Sequence, residues 1–209
     1  TVASIVYWRH QSKRQKQSPL LIVAIFSIVA IFFSISQHIK KTLRPQVAQI
    51  FDSTVLDIAL TPAPANPLCW AGYTAEVKNG DYFVHRFVVA AFPKIMAVSS
   101  CPNPFSKHTS APISEVAQSM SVPNLLEWQG EYRTSVESIK SLWASNCEFA
   151  AMMQFYRMPY LVKKTETEWI AGDLRYDRSV GKDFPEMNIQ NPAGRCPKFL
   201  TNWAPPRLD

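Results

Sequence analysis

The residues most able to do chemistry are few and widely spaced. Asp173 and Arg175 stand at i, i+2 in TEWIAGDLRY, on one face of an expected strand that also carries Trp169. They can line a polar pocket beside that indole or close on each other as a structural ion pair. Asn66 precedes Pro67, where its amide can either organise the TPAPANP turn or contact a ligand. Trp70 follows in NPLCW and is a further binding candidate. The four histidines are His10, His38, His85 and His108; no two stand at i, i+4 and there is no H-E-x-x-H, so no metal-ligand spacing is present. His85 falls mid-strand, where a histidine hydrogen-bonded within a sheet is the ordinary reading. No G-x-S-x-G or S-x-x-K nucleophile motif occurs, and no glycine-rich phosphate loop.

The cysteines, Cys69, Cys101, Cys147 and Cys196, show no C-x-x-C spacing. In an oxidising compartment they allow three pairings. Cys101 and Cys196 both precede prolines in irregular segments, a favourable setting for a bridge. Cys147 on a helical stripe or Cys69 beside a strand can be a buried thiol, and the pairing stays open.

These residues need a scaffold, and two elements dominate it. The first is PLLIVAIFSIVAIFFSIS, uncharged from Pro19 to Ser36 and twenty-one residues long when extended to Ile39. At about 1.5 Å per residue the segment reaches roughly 31 Å, enough to cross a hydrocarbon core. Its serines can bond back to helix carbonyls. Seven of the 22 Lys and Arg lie in residues 1–44, which hold no acid. The rest of the chain is nearly neutral. A basic patch on the folded part, as nucleic-acid binding requires, is therefore not expected. The cations flanking the apolar run read instead as topology signals and lipid contacts.

TVASIVYW reads as the end of an earlier apolar segment, and YWRHQSKRQKQS as a short cytoplasmic loop between two spans. On this reading the chain is the C-terminal part of a longer polytopic protein. Residues 1–18 are the loop, 19–39 the span, 40–61 a connector and first strand, and 62–209 an extracytoplasmic domain.

The second element is a hairpin. LCWAGYTAEVK and DYFVHRFVV flank Asn79-Gly80, the favoured pair for a type I′ turn. The turn sets a register in which Val77 faces Tyr82, Glu76 faces Phe83 and Thr74 faces His85. Both faces are apolar, so both must be covered. Strands are also expected over 55–60, in a second hairpin MPYLVKK/TEWIAGDLRY, and in FPEMNIQ. A short helix is expected over 113–120 and one long helix over 135–155, with a core stripe of Val136, Ile139, Trp143, Cys147 and Ala150. The fold class is α+β: an N-terminal membrane helix, then a mainly antiparallel sheet packed by one long helix. Surplus aromatics could form a lipid-facing belt.

Pro62, Pro64, Asn66-Pro67-Leu68 and Trp70, followed by Asp81-Tyr82 and Asp173-Leu174-Arg175-Tyr176, resemble the C-terminal part of the membrane-bound metal-dependent hydrolase family. These are bacterial inner-membrane proteins, and the resemblance spans roughly residues 15–190. It implies a divalent metal in the parent protein, held by a His-Gly motif and an acidic motif in an N-terminal transmembrane region. Neither motif occurs here, so the resemblance implies a hydrolase whose metal site lies outside this chain. Two further readings stand beside it. One is a non-catalytic periplasmic module binding a partner protein, lipid or envelope polymer. The other is an enzyme whose site brings Asp173, Arg175, Asn66 and His85 into one cleft.

Overall fold

The computed structural model describes residues 2–64, 66–105, 112–116, 122, 125–176 and 186–190. The chain divides into two compact units, Thr1–Ile39 and Lys40–Asp209.

Helix α1 runs unbroken from Val2 to Phe51. The basic stretch expected to be a loop is therefore helical. Residues 8–18 contain no Gly or Pro and are rich in Arg, Lys and Gln, all good helix formers, so nothing local interrupts the turn pattern. In the first unit the helix carries an apolar surface with no protein cover. Leu20 is 74% exposed, Phe26 69% and Phe33 64%, with Ile22, Val23, Ile25, Ile28, Val29 and Ile31 exposed between them. Ser27 Oγ donates to Val23 O at 2.8 Å and Ser34 Oγ to Ala30 O at 2.7 Å, so their hydroxyls need no outside partner. Among the described residues this is the one helix long and apolar enough to cross a membrane.

In the second unit the helix ends by a defined device. Asp52 takes a left-handed conformation (φ 51°) and Ser53 N–H reaches back to Ala48 O at 3.1 Å, which closes the last turn. Lys78 Nζ donates to the terminal Phe51 carbonyl at 2.8 Å, a cation at the negative end of the helix. Strands β1 (Thr54–Ala63), β2 (Asn66–Lys78), β3 (Asp81–Ala90) and β4 (Leu126–Ser135) then form an antiparallel meander in sequence order. The β2–β3 register is the one the turn requires: Val77 opposite Tyr82, Glu76 opposite Phe83, Thr74 opposite His85. Asn79 (φ 52°) and Gly80 (φ 82°) supply the two positive torsions of that turn.

One inner face of this sheet carries Ala75, Tyr82, Val84 and Tyr132 into the main core. The core is completed by α2 (Val136–Ser145), α3 (Cys147–Met153) and a second antiparallel sheet of β5 (Pro159–Lys163), β6 (Glu168–Asp173) and β7 (Met187–Gln190). The second hairpin and last strand form where the sequence indicates, but β6 ends at Asp173 and residues 174–176 are a turn, so Arg175 meets Asp173 from the turn and not along a strand face. The single long helix does not form. Asn146 is extended (φ −127°, ψ 109°) and caps α3, accepting Phe149 N–H at 2.9 Å while its amide donates to Gln190 O at 2.8 Å. The break changes the buried stripe. Ile139, Leu142, Phe149 and Met153 are buried, whereas Val136 and Trp143 are only partly so.

No helix begins at Ile113. Ser114 instead pairs with Glu131 through two 2.8 Å backbone hydrogen bonds, extending the sheet edge beyond β4. Residues 117–120 of that expected helix lie outside the described residues. The cysteine reading is corrected too. Cys69 bonds to Cys101, and Cys147 is also oxidised, so neither Cys69 nor Cys147 is a buried thiol and Cys101 is not the partner of Cys196. Short chain distance explains it: Cys101 follows β3, whose Ala90 is opposite Cys69. Cys196 lies outside the described residues, as do His108 and the turn at 177–183.

Tyr132 links the two sheets. Its buried hydroxyl accepts Leu161 N–H at 2.7 Å and donates to Leu161 O at 3.0 Å, and burial pushes its pKa up to about 12. Tyr132→Phe leaves both β5 backbone groups unpaired in the core. We expect it to cost about 1–3 kcal/mol, read as a lower urea midpoint for the full chain in detergent micelles. An unchanged midpoint would show that the hydroxyl does not join the sheets.

Candidate functional site

The outer face of the meander presents the even-numbered side chains of β2, the odd-numbered ones of β3 and, beyond the bulge at Gly130, the odd-numbered ones of β4. Alternation along each strand and the register of the hairpin bring Thr74, Glu76, Phe83, His85, Glu131 and Arg133 together there. Phe51 and Ser53, where α1 turns into β1, complete one wall. The result is a cleft of about 170 Å³ lined by Phe51, Ser53, Glu76, Lys78, Phe83, His85, Glu131 and Arg133.

His85 is the centre of this cleft and is only 2% exposed. Its Nδ1 is 2.9 Å from Glu76 Oε1 and its Nε2 is 3.5 Å from Glu131 Oε2. Glu76 is fully buried, and its carboxylate also accepts the Thr74 hydroxyl at 2.5 Å and the Ser53 hydroxyl at 2.7 Å. A buried carboxylate needs such partners to remain charged. Burial opposes a charge on His85, but the hydrogen bonds and charges of Glu131 and Glu76 outweigh it, and its pKa is raised above the ordinary histidine value. The imidazole is stacked against the Phe51 ring, centroids 3.9 Å apart and planes 10° apart, with Trp128 edge-on at 5.6 Å. The rim cations are engaged: Lys78 lies 3.6 Å from Asp52, and Arg133 Nη2 is 2.5 Å from Asp81.

This arrangement can hold and release a proton. Each ring nitrogen of His85 faces a carboxylate, so the ring turns no nitrogen toward an open coordination position. Among the described residues no group of three His, Cys, Asp or Glu could hold a metal ion.

Of the residues singled out in the sequence only His85 lines this cleft; Asn66, Trp70, Asp173 and Arg175 lie elsewhere, so the four-residue cleft of Asp173, Arg175, Asn66 and His85 does not form. Asp173 and Arg175 do meet. Asp173 is fully buried at the end of β6, and Arg175 Nη2 and Nε reach its carboxylate at 2.7 and 3.0 Å. The same carboxylate accepts the backbone N–H groups of Arg157 (2.8 Å) and Arg175 (3.0 Å). Arg157 in turn grips Asp57 of β1 through two 2.8 Å bonds. The pair is thus one end of a relay tying the second sheet to the first. Asn66 turns its carbonyl to Leu68 N–H at 3.0 Å and its amide toward the Cys69 and Met96 sulfurs. Trp70 is buried, and its indole N–H donates to Pro67 O at 2.8 Å. Both residues shape the entry to β2.

His85 was visible in the sequence, and the Asn-Gly register already placed Glu76 one diagonal step from it. Glu131 is not readable as a partner, because residues 99–131 read as loop-rich and β4, which runs from Leu126 to Ser135, is not expected there at all.

No family model, characterised protein or solved structure matches the chain. The hydrolase resemblance therefore stands on its motifs. Asn66, Trp70, Asp173 and Arg175 each bond polar atoms within the fold, and Asp81 pairs with the exposed Arg133.

Replacing Asp173 by Ala strands a half-buried guanidinium and two backbone donors. We expect about 3–5 kcal/mol lost, as for other broken buried pairs. The measurement is urea unfolding of the full chain in micelles. A loss under about 1 kcal/mol, the range of an exposed pair, would contradict the structural role.

Proposed function

We propose that this chain is a bacterial inner-membrane protein whose apolar helix crosses the bilayer and whose folded unit works in the periplasm as a non-catalytic binding module. The observation that carries this reading is the uncovered apolar surface from Leu20 to Phe33. A run of exposed Leu, Ile, Val and Phe of that length is costly in water at about 25 cal/mol per Å², and a bilayer removes the cost. Orientation draws support from two independent sources. The Cys69–Cys101 disulfide suits an oxidising compartment, and Arg9, Lys13, Arg14 and Lys16 before the span favour a cytoplasmic N-terminal side.

A binding role is favoured over catalysis by the use of the polar residues. Asn66, Asp173 and Arg175 are consumed by the fold, and Glu76 is bonded to Ser53, Thr74 and His85. The partner fits the classes set by location: an envelope protein, lipid headgroup or envelope polymer. Metal-dependent hydrolysis, which the family resemblance implies, enters this reading only for a longer chain that carries the His-Gly and acidic motifs.

The test is topological. Membranes of cells expressing the chain are washed with alkaline carbonate, and spheroplasts are treated with protease. The chain should stay in the carbonate pellet, and the folded unit should be cut in intact spheroplasts. Release by carbonate would overturn the membrane reading. Protection until lysis would overturn the periplasmic one.

A further inference from the structure

We propose that Glu76, His85 and Glu131 form a reversible proton-binding site that clamps the end of α1 onto the outer face of the sheet and loosens it as the proton leaves. The argument starts from bonding capacity. A protonated imidazole has two N–H donors and here faces two carboxylates, one at each ring nitrogen, at 2.9 and 3.5 Å. Neutral imidazole keeps one donor, so one carboxylate then faces a ring lone pair. Glu76 has no other charged partner among the described residues; its remaining contacts are the Ser53 and Thr74 hydroxyls.

The same ring holds the helix end. Phe51, the last residue of α1, lies flat on His85 at 3.9 Å and edge-on to Trp128 at 4.9 Å. Ser53, two residues on, is bonded to Glu76. A cationic imidazole attracts the face of Phe51, and a neutral one does so less. The proton thus serves both carboxylates and the helix end together. Leu43 and Val47 are fully buried and share the i, i+4 stripe with Phe51, so the clamp sits at the tip of an otherwise packed segment.

The charged groups around the ring come from its own strand and three neighbouring elements. Strand β2 brings Glu76 and, further out, Lys78; β4 brings Glu131 and Arg133; the α1–β1 turn brings Asp52. Strand β3 itself brings Asp81 at its start. Lys78 is held by Phe51 O and Asp52, and Arg133 by Asp81. Neither cation is bonded to Glu76, so the His85 proton supplies that charge.

The sign follows from the direction of the shift. The His85 pKa is raised by its two carboxylates against the cost of burial. A raised value means that the clamp's contribution is fully present below the ordinary histidine pKa of about 6.5 and is lost as pH rises through the folded value.

The test uses the full chain in detergent micelles. The His85 ring nitrogens are titrated by ¹⁵N NMR, with amide hydrogen exchange of residues 47–53 followed over the same pH range and corrected for base catalysis. Exchange there should rise through the His85 midpoint, by about tenfold for each pKa unit that separates clamped and free histidine. Glu131→Gln should lower the midpoint, and His85→Gln should give a flat exchange profile. Exchange that stays flat while His85 titrates, or a midpoint unmoved by Glu131→Gln, would overturn the proposal. The Glu131→Gln arm remains decisive if His85→Gln fails to fold.

Discussion

The register of the β2–β3 hairpin is the constraint on which the rest depends. Asn79 and Gly80 both adopt positive φ, and the two-residue turn then leaves one pairing of the flanking strands. Because side chains alternate, a slip of one residue would exchange the two faces of one strand. The actual register puts Ala75, Tyr82 and Val84 into the core and Glu76 and His85 together on the other side. It also sets the surface on which β4 adds Tyr132 inward and Glu131 outward. The inner-face core residues of the hairpin and the Glu76–His85 wall of the cleft follow from that one turn, and β4 adds the rest.

The two faces solve different problems. The inner face is apolar with tyrosines at its edge, and most of their hydroxyls reach backbone or carboxylate partners, as Tyr132 does at Leu161. Tyr82 is the exception; its hydroxyl is buried without a partner, and burial pushes its pKa well up. Buried Asp173 belongs to the relay Asp57–Arg157–Asp173–Arg175, where every carboxylate has a guanidinium and Asp173 also has two backbone donors. The outer face holds Glu76, His85 and Glu131 in mutual contact beneath aromatic rings, with the Ser53 and Thr74 hydroxyls on Glu76. Gly130, at the β4 bulge opposite Arg86, takes a positive φ (153°), and a Cβ there would lie 2.5 Å from Ile113. That bulge brings Trp128 rather than Gln129 opposite Phe87.

Local rules read well where local chemistry decides. The Asn-Gly turn, the strands around it, the apolar helix with self-satisfied serines and the second hairpin all follow from residues close in sequence. Asn146 shows the limit: it reads as one polar residue within a helical pattern, and its bond to Gln190, 44 residues away, makes it a cap instead. Ser114 is similar, since pairing with Glu131 replaces the helix that Ile113 to Met120 suggests. Asp173 and Arg175 were correctly seen as neighbours, but whether they faced a pocket or the fold depended on Arg157 and Phe155, which only tertiary packing brings there. The cleft needed the β3–β4 register, set by the bulge at Gly130, and no short-range signal encodes it.

The most direct test of this account is the set of inter-ring nuclear Overhauser effects in the full chain in micelles. The register predicts strong contacts between the Phe51 ring and the His85 ring, with Val84 methyls seen only by core residues. Contacts from Phe51 to Val84 methyls, with none to His85, would mean that the strands pair one residue out of step, and the cleft and its clamp would be lost.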